Sequence, residues 1–310
     1  MDIPDDPLLD FRNVFPADLK NPYPKARVDE ILRNRQLLDE ELFFDSLLKS
    51  FARIKDVPTN YPPKSVTSLK SLHTLITTSD HLDTLKKHTL LYYLLLDLPT
   101  STAASTFAAR ILLPQNFIDL ITAVHDLDNL SLQSALAHLT APAVTPPVPE
   151  KILKTLYTHG SARMAVTFVT CVQPVLESPE AVEIFFTAQM QLSPEAAFLY
   201  ARTAPGFLRT QFLRKLVNYC ITTNPAVNAL KLLNLPFSEE EKTVFVDALK
   251  GSGHEVAKDT LVVWQVHQGR VEDALKSAQQ AALKGDVGGL DWAVLGEGLK
   301  KGLGARNVAA

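Results

Sequence analysis

Apolar residues recur at helical spacing along most of the chain, and one stretch is apolar on every side. From Leu90 to Leu96 every residue is apolar or aromatic, so the segment 84–98 has no solvated stripe and must be covered by neighbouring elements. It is too short to span a membrane. Because Ser79 and Asp80 offer helix N-caps and β-branched residues are nearly absent, the pattern favours a buried helix over a covered strand.

Helical spacing continues on both sides of this buried segment. Between Lys25 and Lys55 the apolar positions move to a rotated face, which predicts a break or wide burial near Asp39. A further helix leads into 84–98, and two more helices and a Ser131-capped stretch follow it. We find no convincing run of alternating apolar and polar positions. The first half therefore reads as packed helices.

The second half shows shorter helices with clear start signals. Three predicted starts combine a capping side chain with proline at the first helical position. They are Ser178-Pro179, Ser193-Pro194 and Asn224-Pro225. Two junctions, 158–166 and 267–275, end a helix with glycine and place an alanine five residues later, where it faces the helix just left. This recurrence is typical of stacked αα-hairpins.

The sequence therefore predicts an all-α fold, an irregular α-solenoid of about fifteen helices stacked as αα-hairpins, with an extended N-terminal arm. Clusters of proline and glycine divide it further. The predicted segments are an acidic, proline-rich arm at 1–24, an N-terminal helical subdomain at 25–141 around the buried helix 84–98, a proline-rich linker at 142–149, a C-terminal helical-hairpin subdomain at 150–284, and a glycine-rich cap or tail at 285–310 anchored by Trp292.

The N-terminal arm carries apolar residues that a purely disordered tail would lack. They are Leu8, Leu9, Phe11, Val14 and Phe15. Two interpretations fit them: the arm packs in cis on its own domain, or it anchors a partner surface as a peptide would. These five residues are the candidate partner-binding site.

The charge balance argues against a role on nucleic acid. With a formal net charge of -3, no overall basic field attracts the protein to nucleic acid or anionic lipid. The pairs Lys86-Lys87 and Lys300-Lys301, with Arg306, are scattered, and solvated helix surface explains them. No run reaches transmembrane length, and the acidic, proline-broken N-terminus is unlike a signal peptide. We expect neither direct nucleic-acid binding nor membrane insertion.

Cysteine and aromatic residues lie in apolar helical contexts. Cys171 and Cys220 lack CxxC spacing, which predicts buried free thiols in a reducing compartment, cytosol or nucleus. The pairs Tyr92-Tyr93 and Phe185-Phe186 are predicted to be core residues and not stacking platforms for bases, since aromatic burial is the larger energetic effect.

Catalytic chemistry has one candidate. His125 and Asp126, with Asp128 and the upstream histidines, are residue types that bind divalent metals in all-helical phosphohydrolases. The upstream histidines are His73, His81 and His88. The same residues also fit a helix end, with His125 near the negative dipole. The first glycine is Gly160, so no phosphate-binding glycine loop precedes it. We expect no catalytic residue, no metal and no cofactor, and hence no enzyme.

Four segments resemble the ELYS-type nuclear pore assembly domain. They are LLYYLLLDL (90–98), the helix from Phe117 to Asp128, SALAHLTAP (134–142) and KILKTLYTHGSARMAVTF (151–168). The resemblance covers roughly residues 30–235. It implies an α-helical structural nucleoporin, located at the nuclear pore complex in the nuclear envelope. It also implies binding to a β-propeller nucleoporin and to the long-arm scaffold nucleoporin of the Y-shaped outer-ring complex.

Two alternatives stay open at the level of sequence. A helical-repeat adaptor of another multiprotein complex, of trafficking or lid type, would show the same patterning. A metal-dependent all-α phosphohydrolase using His125 and Asp126 ranks third, because a working site needs a full set of ligands with oriented supporting groups.

Overall fold

The computed structural model of the chain describes residues 9–17, 19, 21–99, 101–283, 294 and 296–302. All regular structure in these residues is helical, with no strand among them. The predicted all-α fold is therefore confirmed. Leu8, Trp292 and Arg306, which the sequence analysis singled out, lie outside the described residues.

The helices are numbered in chain order. They are α1 (Phe11–Val14), α2 (Lys25–Leu37), α3 (Phe43–Ser50), α4 (Val57–Asn60), α5 (Val66–Thr77), α6 (Thr84–Leu96), α7 (Ser101–Arg110), α8 (Gln115–Asp128), α9 (Leu132–Leu139), α10 (Pro149–Thr155), a π-helical turn (Leu156–Gly160), α11 (Ala162–Val172), α12 (Pro179–Leu192), α13 (Pro194–Thr203), α14 (Gly206–Thr222), α15 (Pro225–Leu233), α16 (Glu239–Gly251), α17 (Glu255–His267) and α18 (Val271–Leu283). Residues 296–302 are also helical. The described chain thus has more helices than the sequence predicts, because one-turn helices such as α1 and α4 are too short to show periodic spacing.

The described residues divide into two compact units, with the boundary after Val182, inside α12. In each unit the helices pack mainly on their neighbours in the chain, for example α8 on α9 and α17 on α18. This is the stacking that the predicted solenoid-type fold requires. The proline-rich segment 142–149 lies inside the first unit. The linker and the other segment boundaries stay predictions.

Helix α6 is the buried element of the first unit, as predicted. It packs against α5, α7 and α8, and every residue from His88 to Leu95 is buried. The N-cap differs from the prediction. Asp83 caps the helix by accepting a hydrogen bond from Lys86 N at 2.7 Å, whereas Ser79 and Asp80 lie too early in the preceding turn. The choice among three nearby capping residues depends on where the core begins, which local sequence does not show.

The break predicted near Asp39 occurs between α2 and α3. Asp39 and Glu40 both have left-handed backbone, with φ of 58° and 62°. Two consecutive residues in this conformation reverse the chain within a few positions. The apolar face of α3 can therefore point in a different direction from that of α2.

Two groups of aromatic contacts lie in the core of the second unit. The Phe186 and Phe212 rings stack at 4.2 Å, and Phe245 lies 4.8 Å from Phe237 and 5.2 Å from Trp264 between ring centroids. The Phe186–Phe212 contact joins α12 to α14, and the Phe245–Trp264 contact joins α16 to α17. Farther along, Val262, Ala274 and Ala278 form a small cluster against which Leu299 of the predicted tail packs.

The two glycine junctions work differently. Gly269 has a left-handed φ of 71° after α17, as expected of a helix-terminating glycine. Gly160 ends the π-helical turn, and a Cβ there would lie 2.8 Å from Met164 Sδ and 3.1 Å from Leu132 Cδ1. Position 160 therefore requires glycine because a side chain there would crowd its neighbours. The alanines predicted to allow close approach, Ala165 and Ala274, are fully buried.

Candidate functional site

The N-terminal arm, which carries the predicted partner-binding residues, packs in cis on α5. His73 Nε2 lies 2.8 Å from the carbonyl oxygen of Leu9. The same imidazole ring is edge-on to the rings of Phe11 and Phe15, with centroid distances of 5.4 and 6.0 Å. Val14 and Phe15 are buried. The arm is therefore part of the first unit.

This contact accounts for Leu9, Phe11, Val14 and Phe15, while Leu8 lies outside the described residues. The sequence left open whether the arm packs in cis, and it does. That the same residues bind a partner stays a prediction. Burial of Val14 and Phe15 means that a partner using them would first have to displace the arm from α5.

Asp97, directly after α6, is the centre of a buried polar cluster. Its Oδ2 accepts hydrogen bonds from the hydroxyls of Tyr23 at 2.8 Å and Tyr61 at 2.6 Å. Its Oδ1 accepts one from Arg27 at 2.7 Å and lies 3.3 Å from His125 Nε2. These partners come from the segment before α2, from α2, from the end of α4 and from α8. One carboxylate thus ties four parts of the first unit to the end of the buried helix.

Asp128, the last residue of α8, forms a second buried centre. Its Oδ1 accepts from Phe43 N at 2.6 Å, and its Oδ2 accepts from Phe44 N at 3.0 Å and from the Tyr93 hydroxyl at 2.8 Å. Helix α3 starts after Leu42, which has no polar side chain to cap it. Asp128 supplies the missing acceptor for the free N–H groups of that helix.

An ion pair between Arg35 and Asp45 completes the buried polar groups around α3. Arg35 Nε and Nη2 donate to the Asp45 carboxylate at 2.7 and 2.9 Å, and Nη2 also donates to the carbonyl of Tyr61 at 2.9 Å. Both side chains are buried. Removing one member of such a pair leaves an uncompensated charge in the interior, so the pair fixes the position of α2 against α3.

Burial shifts the ionisation of these groups. It raises the pKa of Asp128 to about 7, against the hydrogen bonds from Phe44 N, Tyr93 and Phe43 N that lower it. For His125, burial lowers the pKa, but contacts with Asp126 and Asp97 outweigh it and raise the pKa to about 9. His125 is therefore a cation at neutral pH, held beside the Asp97 carboxylate.

The residues of the metal hypothesis do not converge. His125 pairs with Asp97, and Asp128 caps α3. His88 is buried beside Phe107, and His81 is exposed. Nowhere in the described residues do three His, Cys, Asp or Glu side chains lie close enough together to hold a metal ion. The helix-end interpretation of 125–128 is the one that the structure supports, since α8 ends at Asp128.

The cysteine prediction is half right. Cys220 is fully buried, and burial raises the pKa of its thiol to about 12. Cys171 is exposed, contrary to the prediction. It lies in the last turn of α11, whose buried positions are Ala165 and Phe168. The aromatic pairs Tyr92-Tyr93 and Phe185-Phe186 are buried core residues, as predicted.

The sequence did not reveal two kinds of residue: those at the centre of the buried polar clusters and the exposed apolar side chains. Asp97 and Tyr61 carry no local motif, because their partners lie far away in the chain. The surface also has large apolar side chains that are more than half exposed. Among the described residues these are Leu112, Val175, Leu199, Phe207, Leu230 and Val294.

In the described residues, stacked helices joined by buried caps and ion pairs define the class of protein: an all-α protein. None of the described helices is long and apolar enough to span a bilayer. Comparison with known proteins then identifies the family.

The family described as ELYS, nuclear pore complex assembly, matches residues 41–252. A relative from Schizosaccharomyces pombe, the uncharacterized protein ely5, is 31% identical over 258 residues, which cover 82% of this chain and 84% of the relative. The chain belongs to the ELYS nuclear pore complex assembly family. The predicted resemblance is confirmed.

Family membership carries a nucleoporin-type role, association with nuclear pore complex components and a place at the nuclear pore or nuclear envelope. The matched range extends from just before α3 to the end of α16. Helix α2 lies outside it, yet Arg27 and Arg35 bind Asp97 and Asp45 inside it. The helical body of this chain therefore includes α2.

Proposed function

We propose that this protein is a structural nucleoporin that docks on the Y-shaped outer-ring complex of the nuclear pore. Its partners there would be a β-propeller nucleoporin and the long-arm scaffold nucleoporin. The observation that supports the proposal is the family match across α3 to α16. The helical stacking supports it as well, since stacked helices present extended surfaces for protein contacts.

The test is reconstitution with purified subunits. The full chain is mixed with the β-propeller nucleoporin, with the long-arm nucleoporin and with both, and the mixtures are separated by size-exclusion chromatography. We expect a stable complex with at least one subunit and a nuclear-rim signal for the tagged protein in cells. Absence of binding at micromolar concentrations together with a diffuse cellular signal would contradict the proposal.

We also propose that the protein acts through its surface and not through chemistry. The partly buried His125 and the buried Asp128, each engaged with residues of its own unit, support this view. Metal analysis of the purified protein and a nucleotide-turnover assay on wild type and His125→Ala test it. A stoichiometric metal ion, or a turnover that His125→Ala abolishes, would overturn it.

A further inference from the structure

Helices α7, α8 and α17 end with the same pair of backbone hydrogen bonds. At the end of α7, Leu113 N donates to Ala108 O at 3.0 Å and Leu112 N donates to Ala109 O at 3.3 Å. In this termination the residue after the C-cap adopts a left-handed backbone, and glycine is the usual residue there because it has no Cβ. The three residues in that position are Leu112, Leu130 and Gly269, with φ of 51°, 56° and 71°.

Leu112 is the one of the three that the fold does not explain. A leucine in this conformation carries backbone strain that Gly269 avoids at the same position of α17. Leu130 is partly buried, so its side chain contributes to packing. Leu112 is 84% exposed. Backbone strain at a residue whose side chain adds nothing to the packing of the fold points to a function for that residue.

The neighbouring residue Leu113 already provides the apolar contact of this helix end. It is buried, as the residue following the left-handed position usually is. Glycine at position 112 would therefore terminate α7 equally well. Beside Leu112, the residues Ile111, Phe117 and Ile118 are partly buried and extend the apolar character of the corner between α7 and α8.

The charge next to Leu112 is positive. Arg110 is exposed, and its guanidinium lies 5.8 Å from the centroid of the Phe107 ring and donates to the carbonyl of Asn13. Within the described chain no carboxylate forms an ion pair with Arg110. A partner that covers this corner would bury the cation unless it brought a negative charge.

We propose that Leu112 is a docking residue that inserts into an apolar pocket bordered by a carboxylate on a folded protein partner, with Arg110 facing that carboxylate. The inference rests on the proposed function, because the partner is one of the outer-ring subunits. The Leu112 side chain is 84% exposed, and the two hydrogen bonds of the helix end hold its backbone in the left-handed conformation.

The experiment compares Leu112→Gly with Leu130→Gly, which makes the same change in the same backbone conformation. Binding of each variant and of wild type to the purified β-propeller and long-arm nucleoporins is measured by titration calorimetry, and thermal unfolding is followed by circular dichroism. We expect Leu112→Gly to weaken binding at least about tenfold, with an unchanged or higher Tm. Leu130→Gly should lower Tm and change Kd by less than about twofold.

The outcomes separate the two levels of the proposal. If wild type binds and Leu112→Gly binds equally well, the docking role of Leu112 is wrong and the proposed function stands. If Leu130→Gly weakens binding as much as Leu112→Gly, the effect is general to helix ends and the docking role is again wrong. If wild type binds neither subunit, the proposed function itself fails.

Substitutions of Arg110 test the charge of the proposed pocket on the partner. Arg110→Gln keeps donors for the Asn13 carbonyl and removes the charge, whereas Arg110→Glu reverses it. We expect Arg110→Glu to bind more weakly than Arg110→Gln, by a margin that grows as ionic strength falls. If the two variants bind with equal affinity, the proposal that a carboxylate borders the partner's pocket is wrong.

Discussion

The carboxylate of Asp128 caps a helix that begins 85 residues earlier in the chain, accepting a hydrogen bond from Phe43 N at 2.6 Å. The acceptor at the start of α3 therefore comes from the end of α8, and each helix end fixes the position of the other. Because local residues cannot replace this cap, the first unit depends on one side chain for the junction of two helices.

Replacing Asp128 with alanine should strongly destabilise the first unit. The change leaves Phe43 N, Phe44 N and the Tyr93 hydroxyl without their buried acceptor, and we expect a loss of about 3 kcal/mol in unfolding free energy. Urea unfolding monitored by circular dichroism measures it. Asp119→Ala is the matched control, since Asp119 lies on the same helix and contacts His138 near the surface. Equal losses for the two variants would contradict the cap.

Stability should fall as pH rises from about 6.5 to about 9. His125 has its folded pKa raised to about 9, so its contribution is fully present below the unfolded value of about 6.5 and is lost as pH rises through 9. Asp128, whose pKa burial raises to about 7, loses its contribution mainly between its unfolded value of about 3.9 and pH 7, so it adds only a small decrease at the start of this range. We expect a decrease of about 2 kcal/mol across this range.

Urea unfolding at pH 6.5 and pH 9 measures this dependence. His125→Gln should flatten it, whereas His254→Gln, at an exposed position, should leave it unchanged. A wild-type stability that rises across the range would show that the Asp97–His125 contact does not favour the protonated ring.

Phe15 should contribute to the stability of the first unit. It is buried against His73, so Phe15→Ala removes a core side chain and should cost about 3 kcal/mol. Arg12→Ala, at an exposed position in the one-turn helix just before Phe15, should cost much less. Differential scanning calorimetry compares the two. A Phe15→Ala variant as stable as wild type would mean that the arm is not held on α5 in solution.

Gly160 should not tolerate a methyl group. Alanine there would crowd Met164 Sδ and Leu132 Cδ1, and we expect a loss of about 1 kcal/mol because both side chains can move slightly. Gly251→Ala, where nothing lies within 4 Å of the new Cβ, should be neutral or stabilising. Adding Met164→Ala to Gly160→Ala should recover part of the loss. A double variant no more stable than Gly160→Ala would place the strain elsewhere.

The sequence predicts the helices of this fold better than it predicts their junctions. The apolar run of α6 identifies a buried helix because burial on all sides leaves no polar position, and that signal is local. Asp97 and Asp128 act through partners 28 to 85 positions away, and no periodic pattern records such distances. The unusual conformation of Leu112 could not be predicted for another reason. Leucine does not indicate a left-handed backbone, so only the φ angle and the exposure of this residue distinguish it.

The contrast between the two cysteines has a practical consequence. Cys171 is exposed in α11 of the first unit, whereas Cys220 is fully buried in α14 of the second. A maleimide dye added to the folded wild-type chain will therefore attach at one position without prior mutagenesis. Modification of the second thiol then requires opening of α14, so its rate reports how often that part of the protein unfolds.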